Sequence, residues 1–352
     1  MISTIYIDLR KIEANLRAVE RRLRPGIQKM AVVKDNAYGH GMIPVSKFLA
    51  DKVEWFCVAR VEEGVELRKA GISNPVLVLE LPQLETADLY PAYDLTASIS
   101  DLGVFDILRA GTKAHIHFDT GMFRLGILPE DAAEVENKVT SGQIDINGIY
   151  THFANSDVSS HNRVKEQLEI FQQIRSRFPE EWMTHTANSG AIFYYNDLDL
   201  HYDAVRPGVC LYGYAPGPDE INDLEPVIEW QSKLVQVKKI RKGGMVGYGS
   251  RWAADSDGWI GVIPVGYAQG IFRSLTNKIP VRIAGKLYPT VGTISMDYIM
   301  VWLGQDKVDN GTVVTLMDKD ELSAKEWAAQ LGTIPYEITT AISDKIKRVF
   351  NY

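Results

Sequence analysis

Five polar residues follow apolar, strand-like runs in the first two thirds of the chain. Lys34 leaves such a run in AVVKDNAYGHG, and a lysine amine that is desolvated there has a lowered pKa and can form a Schiff base. Arg124 in FDTGMFRLG and Arg206 in VRPGVCLYG each offer a planar fork for a carboxylate or a phosphate. His152 in THFANSD and Ser189 in THTANSG end the sixth and seventh predicted strands, within two similar T-H-x-A-N-S strings. Their recurrence at successive strand ends indicates one functional site.

Alternating strand-like and helix-like segments position these residues. After a strand-like start at 4–9, apolar and β-branched runs predict eight strands, near 29–34, 54–58, 76–80, 94–97, 113–119, 146–152, 184–187 and 204–206. Helical stretches separate them, and the clearest has one apolar face, formed by Val164, Leu168, Phe171, Ile174 and Phe178. Eight βα units predict a (β/α)₈ barrel, in which functional groups collect at the C-terminal ends of the strands.

The pattern changes after APGPDEINDLEP, residues 215–226, where proline, glycine and acidic residues predict a linker. Beyond it, β-rich segments split by glycines predict a second, mostly-β domain with one helix at 323–331. The predicted fold class is therefore α/β, with an N-terminal barrel over 1–222 and a β-rich domain over 223–352. The N-terminal strand is expected to associate with the second domain.

The amino-acid composition argues against several classes of binding partner. The 352 residues are 45% hydrophobic and 24% charged, which is typical of a soluble globular protein of about two domains. The 38 Lys and Arg residues against 45 Asp and Glu residues form no basic block, so a nucleic-acid partner is disfavoured. Cys57 and Cys210 lie in apolar stretches, as reduced core cysteines do. With no signal peptide and no window of ~20 apolar residues, we predict a cytoplasmic protein that does not bind membranes.

Nine motifs, in their order along the chain, closely resemble those of alanine racemase, a pyridoxal-phosphate enzyme of fold type III. They are AVVKDNAYGHG, DTGMFRLG, HFANSD, ANSG, RPGVCLYG, VGYGSRW, PVGYAQG, VGTISMD and TIPYEI. The resemblance runs from Tyr6 to about Phe350. It implies a barrel followed by a β domain, interconversion of L- and D-alanine with pyridoxal phosphate, and a homodimer whose active sites are shared between subunits.

The resemblance implies two bases on opposite faces of the substrate. Lys34 is then the Schiff-base lysine and the base on one face, and Tyr248 is the base on the other. A free tyrosine is a poor base at neutral pH, and the resemblance implies electrostatic help through His152 to Arg206, which would face the pyridine nitrogen. Because a guanidinium keeps its proton, Arg206 would weaken the ring as an electron sink and favour racemisation over transamination.

The same resemblance implies the remaining contacts. The cofactor phosphate would be held by Tyr38, Ser189, the backbone of Gly208 and Val209, and Tyr336. Arg124 and the backbone of Met296 would contact the substrate carboxylate, and Tyr267 would line the entrance.

Three positions depart from the usual pattern. His117 replaces a lysine, often carbamylated, that orients the substrate arginine; Ser295 replaces a common cysteine; and Gln269 replaces the Asp of the usual GYADG. A neutral imidazole carries no negative charge to pair with Arg124. Our hypothesis is that Arg124 is held less tightly here, with an effect on affinity or on side-chain tolerance.

A metal-dependent hydrolase is the competing interpretation from a different functional class. His115 and His117 are two apart on a predicted strand, so their rings share a face, as in amidohydrolase-like barrels. His152, His185 and Asp203 would complete a zinc site. This interpretation leaves the lysine and tyrosine motifs without a role, so we predict no metal.

Three different functions would use the same cofactor. A serine racemase or one of broad specificity differs by a side-chain hydroxyl, against which pockets discriminate weakly. A protein that holds pyridoxal phosphate without turnover resembles the barrel alone and lacks the β domain, whereas VGYGSRW and VGTISMD are present here. Fold type III decarboxylases carry different site motifs, which we do not find.

Overall fold

The computed structural model describes residues 2–140, 142–159, 161–195, 197–219 and 221–352. The chain divides into two compact units. The barrel unit comprises Glu13–Ala37 and Met42–Leu224, and the β unit comprises Met1–Ile12, Tyr38–Gly41 and Glu225–Tyr352. The predicted fold class is confirmed, whereas the domain boundary at 222/223 stays a prediction. Glu220, within the predicted linker, lies outside the described residues.

The strands are numbered along the chain, and the first, β1 (Thr4–Asp8), belongs to the β unit. The barrel unit contains β2 (Gln28–Val32), β3 (Trp55–Val58), β4 (Val76–Val78), β5 (Ala97–Ile99), β6 (Lys113–His117), β7 (Asp145–Tyr150), β8 (Met183–Asn188) and β9 (Ala204–Arg206). These strands are parallel and lie in the order β4-β3-β2-β9-β8-β7-β6-β5. A bridge between Leu77 and Thr96 joins the two outer strands, so the sheet closes. Closure places the C-terminal ends of all eight strands around one mouth.

One helix lies between β1 and β2, and the others connect the strands of the barrel unit. In chain order, the helices span Leu9–Glu20, Met42–Leu49, Val61–Lys69, Leu89–Ala92, Val104–Ile107, Ala132–Thr140, Asn162–Arg175 and Ser189–Tyr194. The predicted apolar face of Asn162–Arg175 is buried at Val164, Leu168, Phe171 and Ile174. Phe178 lies beyond the last helical turn and is buried as well. Burial of such a side chain stabilises the fold by about 1.5–3 kcal/mol each, so this face fixes the helix on the barrel.

Five of the eight predicted barrel strands end two residues away from the observed strand ends, and two of these differences follow from backbone turns. β2 ends at Val32 rather than at Lys34, because the chain turns into the left-handed region directly after Lys34. The fourth predicted strand, 94–97, is displaced to Ala97–Ile99, because Asp94 has φ 49 and continues the turn that ends the preceding helix. In both places a backbone turn, which the residue types do not require, takes over from the apolar run.

The β unit holds one mixed sheet. Its further strands are β10 (Ile228–Lys233), β11 (Gln236–Ile240), β12 (Gly258–Ile263), β13 (Pro280–Ile283), β14 (Lys286–Val291), β15 (Ile299–Gly304), β16 (Val313–Met317) and β17 (Lys347–Asn351). The order is β11-β12-β15-β14-β13-β16-β10-β1-β17, in which β1 runs antiparallel to β10 and parallel to β17. The predicted helix is found at Ala324–Leu331, where the Ser323 hydroxyl caps the first turn, and a second helix spans Pro335–Thr340.

No helix in the described ranges is long and apolar enough to cross a membrane. Cys57 and Cys210 are free and buried. Burial raises the pKa of the Cys57 thiol to about 12 and the pKa of the Cys210 thiol to about 11, so both remain protonated thiols.

Candidate active site

The predicted residues of the barrel unit lie at the C-terminal ends of its strands. Arg206 is the last residue of β9, and Ser189 directly follows β8. His152 lies two residues beyond β7, Lys34 lies two residues beyond β2, and Arg124 lies in the loop after β6. This is the end of a barrel of this kind at which ligands bind.

The Arg206 guanidinium is buried and is held by neutral acceptors. Its Nη1 donates to Nδ1 and to the carbonyl oxygen of His185, the latter at 2.8 Å. Its Nη2 donates to the carbonyl oxygens of Thr151 at 2.7 Å and Thr186 at 3.1 Å, and lies 3.4 Å from Nδ1 of His152. Burial lowers the pKa of Arg206. The ordinary pKa of a guanidinium is so high, however, that the group stays charged at neutral pH. In the described part of the chain no carboxylate accepts from Arg206, so its charge is available to an anionic or electron-rich ligand.

His152 lies between two donors. Its Nε2 is 3.4 Å from Nδ2 of Asn188, whose amide is oriented because Oδ1 accepts from the Ser156 hydroxyl at 2.7 Å and from the Ala191 N–H at 3.1 Å. Burial, followed by the charge of Arg206, holds the pKa of His152 well below its ordinary value. A neutral imidazole has one N–H and one acceptor nitrogen. Both neighbours of the ring are hydrogen-bond donors, so neither can accept a hydrogen bond from the ring N–H.

Three cationic residues of the barrel mouth affect the pKa of the His152 ring. After burial, the charges of Arg206, Arg124 and Lys34 all contribute to the low pKa of His152. Lys34 itself is half-buried and opens a left-handed helical turn, Lys34–Tyr38. The four residues after Lys34 have φ of 52 to 54, a conformation that costs roughly 1–2 kcal/mol for each non-glycine residue. Such strain is typical of functional sites.

Hydroxyl and backbone donors gather around Ser189. Its Oγ accepts from the Gly208 N–H at 2.9 Å and donates to Cys210 Sγ at 3.2 Å. Ser189 opens the helix Ser189–Tyr194, and a 3₁₀ turn begins at Val209. The first N–H groups of a helical turn have no partner within it. These two turn starts with one hydroxyl suit a phosphate group.

The loop that carries Arg124 is organised by one carboxylate. Asp119 accepts from the backbone N–H groups of Gly121 at 2.8 Å, Met122 at 2.7 Å and Arg124 at 3.1 Å. Phe123, between the last two, has φ 55 and an exposed ring. The backbone of the predicted substrate arginine is thus fixed, while its side chain is exposed.

His117 is engaged away from Arg124. Its Nδ1 lies 3.1 Å from the Ser100 hydroxyl, and its ring stacks on Tyr150 at 4.3 Å between centroids. Burial, then the charges of Arg206 and Arg124, lowers the pKa of His117 to about 3. The ring is therefore neutral at ordinary pH and supplies no counter-charge to the arginine.

The β unit brings Tyr248, Tyr267 and Met296 onto neighbouring loops. The Thr293 hydroxyl donates to the Tyr248 carbonyl oxygen at 2.6 Å, and the Tyr267 N–H donates to the Ser295 carbonyl oxygen at 3.1 Å. The side chains of Tyr248, Tyr267 and Met296 are 75%, 42% and 53% exposed. The loops approach so closely that a Cβ at position 266 would lie 2.2 Å from the Ser295 carbonyl oxygen.

Tyr38 and Tyr336 also lie together in the β unit. Their rings make an edge contact at 6.2 Å between centroids, with an interplanar angle of 74°. Gly39 allows this approach, because a Cβ there would lie 2.1 Å from the Thr339 carbonyl oxygen. The two predicted phosphate-binding tyrosines are thus neighbours.

Three residues around Arg206 were missed as parts of this site in the sequence. Tyr150 stacks on His185 at 4.7 Å and lies under the Arg206 guanidinium at 5.1 Å, and Asn188 faces His152. Two signals were available. Tyr150 precedes His152 by two residues and therefore shares its strand face, and His185 occupies the same place in THTANSG as His152 in THFANSD.

The residues of the hypothetical zinc site are not gathered as ligands. Nδ1 of His115 and Nε2 of His185 are joined directly at 2.8 Å. The Asp203 carboxylate instead accepts from the Thr184 N–H at 2.7 Å, near the start of β8. Among the residues that the structure describes, no group of three or more His, Cys, Asp or Glu residues could hold a metal ion.

Comparison with known proteins identifies relatives along the whole chain. Residues 7–216 match the family model described as alanine racemase, N-terminal domain, and residues 227–350 match alanine racemase, C-terminal domain. The alanine racemase of Streptococcus gordonii is 34% identical over 362 aligned positions, covering 99% of this chain and 97% of the relative.

Solved structures agree with this match. An alanine racemase of Clostridium difficile 630 superposes with a TM-score of 0.95 at 30% identity, covering 100% of this chain and 96% of the other. An alanine racemase from Bartonella henselae with covalently bound pyridoxal phosphate superposes with a TM-score of 0.91 at 28% identity, covering 100% of both chains.

Proposed function

Because the chain belongs to the alanine racemase family, we propose that it interconverts L- and D-alanine with pyridoxal phosphate. The observation that carries the proposal is the barrel mouth. There the charges of Lys34, Arg124 and Arg206 lower the pKa of the partly buried His152, and within the described ranges no carboxylate accepts from Arg206. The substrate carboxylate and the cofactor phosphate would supply the missing negative charge.

The residues of the barrel mouth fit this cofactor. Lys34 would hold it covalently, and Arg206 and His152 would face its ring. Its phosphate would meet the hydroxyl of Ser189, the backbone of Gly208 and Val209, and the tyrosines Tyr38 and Tyr336. When bound, pyridoxal phosphate draws electrons from the substrate Cα and so makes the Cα proton removable.

Two residues would move that proton. The Lys34 amine takes or returns it on one face of the substrate, and the Tyr248 phenol does so on the other. With a base on each face, a proton removed from one face of the substrate can be replaced on the other, so the enantiomer forms without the substrate turning around. In the proposed site the N–H of His152 would donate to the Tyr248 oxygen, and such a hydrogen bond stabilises a phenolate.

Arg206 would limit the charge delocalisation. A guanidinium that keeps its proton cannot give one to the pyridine nitrogen that it faces. The ring would then withdraw less charge from the substrate Cα, so Lys34 or Tyr248 would return the proton there quickly. This favours racemisation over transamination.

Substrate selection would rest on few contacts. Arg124 and the backbone of Met296 would bind the carboxylate, and Tyr267 and Tyr336 would line the entrance. A pocket for a methyl group rejects an added hydroxyl by only about 10²-fold. A serine or broad-specificity racemase is therefore the second candidate.

The proposed active form is a cytoplasmic homodimer with shared active sites. The exposed side chains of Tyr248 and Met296 support it, because apolar and aromatic groups at 75% and 53% exposure suit a surface that a second copy covers. The buried free thiols of Cys57 and Cys210 agree with a reducing compartment. The proposed domain boundary remains 222/223.

The test is to incubate the purified protein with pyridoxal phosphate and L-alanine and to measure D-alanine. We expect equal final amounts of both enantiomers, and faster conversion of alanine than of serine. An identical assay across small and basic L-amino acids fixes the substrate range, and light scattering gives the oligomeric state. Absence of racemisation of every amino acid would refute the proposal.

A further inference from the structure

Two buried histidines form a relay behind Arg206. Nδ1 of His185 accepts from Nη1 of Arg206, and Nε2 of His185 lies 2.8 Å from Nδ1 of His115. Both histidines have 0% exposure. The Tyr150 ring stacks on His185 at 4.7 Å with an angle of 14°, which holds the imidazole plane. The pair has no part in the proton transfer proposed above.

Hydrogen-bond chemistry gives this relay a direction. Every N–H of a guanidinium is a donor, so Nδ1 of His185 carries no proton. The proton of a neutral His185 is therefore on Nε2, and it is donated to Nδ1 of His115. Burial, then the charge of Arg206, lowers the pKa of His115 to about 3 and holds the pKa of His185 well below its usual value. Both rings are thus neutral, and each has its proton on Nε2.

The fold makes room for His115 at a cost. A Cβ at position 148 would lie 2.4 Å from Cδ2 of the His115 ring, although Gly148 has an ordinary backbone conformation. A glycine inside a strand lowers its stability and marks a close approach. The pairing of β6 with β7 shifts register between Ala114 and His115, and that of β8 with β9 shifts between His185 and Asn188. Such irregularities re-aim side chains next to active sites.

We propose that His115 is a positioning residue for Arg206, acting through His185 by fixing which nitrogen of that ring carries the proton. The choice of tautomer follows from the partner of the opposite nitrogen. The Arg206 donor and the His115 acceptor both favour the proton on Nε2 of His185. Without the acceptor on His115, the buried Nε2–H has no partner, and His185 can place its proton on Nδ1. Arg206 would then face a donor instead of an acceptor and would lose its position. The catalytic consequence rests on the proposed racemase function, whereas the tautomer does not.

Two substitutions of matched chemistry test the relay. In His115→Asn, the amide oxygen can occupy the place of Nδ1, so the acceptor remains. In His115→Gln, the amide reaches the place of Nε2, and the acceptor is lost. With the holoenzyme we expect kcat to fall by about 10-fold or more in His115→Gln, as for residues that orient a catalytic group. In His115→Asn kcat should stay within about threefold of the unchanged protein, and the alanine KM should change little in either variant. Equal losses in the two variants would overturn the proposal.

The tautomer gives a readout that needs no substrate. In the holoenzyme labelled with ¹⁵N-histidine, long-range ¹H–¹⁵N spectra should show His185 protonated at Nε2 only, in the unchanged protein and in His115→Asn. His115→Gln should show protonation at Nδ1. Protonation of His185 at Nδ1 in the unchanged protein would overturn the proposal, whatever reaction the protein catalyses. If no amino acid is racemised but the spectra are as expected, the function fails and the relay stands.

A third variant keeps the experiment informative if a His115 variant does not fold. Gly148→Ala displaces the His115 ring without removing its chemistry. We expect the same loss of kcat and the same appearance of Nδ1 protonation on His185, with thermal unfolding as the check on folding. A folded Gly148→Ala protein with unchanged kcat and unchanged spectra would contradict the relay.

Discussion

The barrel unit and the β unit present their site residues in opposite ways. In the barrel unit Arg206 is 3% exposed and is held by several hydrogen bonds to carbonyl oxygens and imidazoles. In the β unit the Tyr248 side chain is 75% exposed, and its backbone carbonyl oxygen is anchored by the Thr293 hydroxyl. The barrel residues are therefore held in place by their own unit, whereas the proposed homodimer would supply the surroundings of the Tyr248 side chain. Substitutions of exposed site residues in the β unit should therefore lower activity without lowering stability, whereas substitutions of buried site residues in the barrel unit should lower both.

The largest effect is expected at Lys34. Lys34→Ala removes the amine that is proposed both to hold the cofactor and to move a proton, so activity should fall on the order of 10⁴-fold or more. Lys47→Ala, at an exposed lysine of the helix Met42–Leu49, is the matched control and should retain full activity. Racemisation rates and cofactor absorbance check both variants. Retention of even a tenth of the activity in Lys34→Ala would remove Lys34 from its proposed role.

Tyr248→Phe should give the next largest effect, and it sharpens the contrast between the units. Loss of the phenol oxygen should slow racemisation by about 10²–10³-fold. The melting temperature should be unchanged, because the side chain is mostly exposed. Tyr298→Phe, at a tyrosine of the same unit that is 47% exposed, is the control and should change neither quantity. Proton exchange at both faces at full rate in Tyr248→Phe would contradict the two-base mechanism.

Features that depend on residue type, such as buried strands, can be predicted from the sequence. Features that depend on the path of the backbone, such as left-handed turns and register shifts, cannot. Apolar runs located seven of the eight barrel strands to within a few residues, since burial in a closed sheet requires such runs. Nothing in KDNAY requires four left-handed residues after Lys34. The Tyr150–His185 stack could not be predicted either, because it depends on register shifts between strands that are far apart in sequence. Polar residues at strand ends predict a site in the barrel, because all eight strands end at the same mouth.

Acid should destabilise the barrel unit through its buried histidines. The pKa of His117 is about 3 in the folded chain and about 6.5 when unfolded. Below pH ~6.5 the unfolded chain binds a proton at His117 that the folded chain does not. The contribution of neutral His117 to the free energy of unfolding is therefore full above pH ~6.5 and is lost as the pH falls towards 3. Each such histidine costs about 1.4 kcal/mol per pH unit in that window.

Replacement of one ring measures this contribution. His117→Phe keeps a ring to stack on Tyr150 and should reduce the loss in unfolding free energy between pH 6.5 and 5 by about 2 kcal/mol. His161→Asn, at an exposed histidine whose side chain caps the helix Asn162–Arg175, is the matched control. Urea unfolding at each pH gives both values. An identical pH slope in His117→Phe and the unchanged protein would mean that His117 is protonated when folded.

The smallest effect is expected at Arg124, the proposed substrate arginine. His117 gives Arg124 no counter-charge, whereas a lysine at this position, once carbamylated, would provide one. Because Arg124 is exposed, that pair should contribute only about 0.5–1 kcal/mol. His117→Lys assayed with bicarbonate should therefore lower the alanine KM by about two- to fivefold and change the preference for alanine over serine. Without bicarbonate the gain should disappear, since an ammonium beside Arg124 repels it. An unchanged KM and an unchanged preference under both conditions would show that the hold on Arg124 does not limit binding, and carboxylate recognition would then rest on the exposed Met296 loop of the β unit.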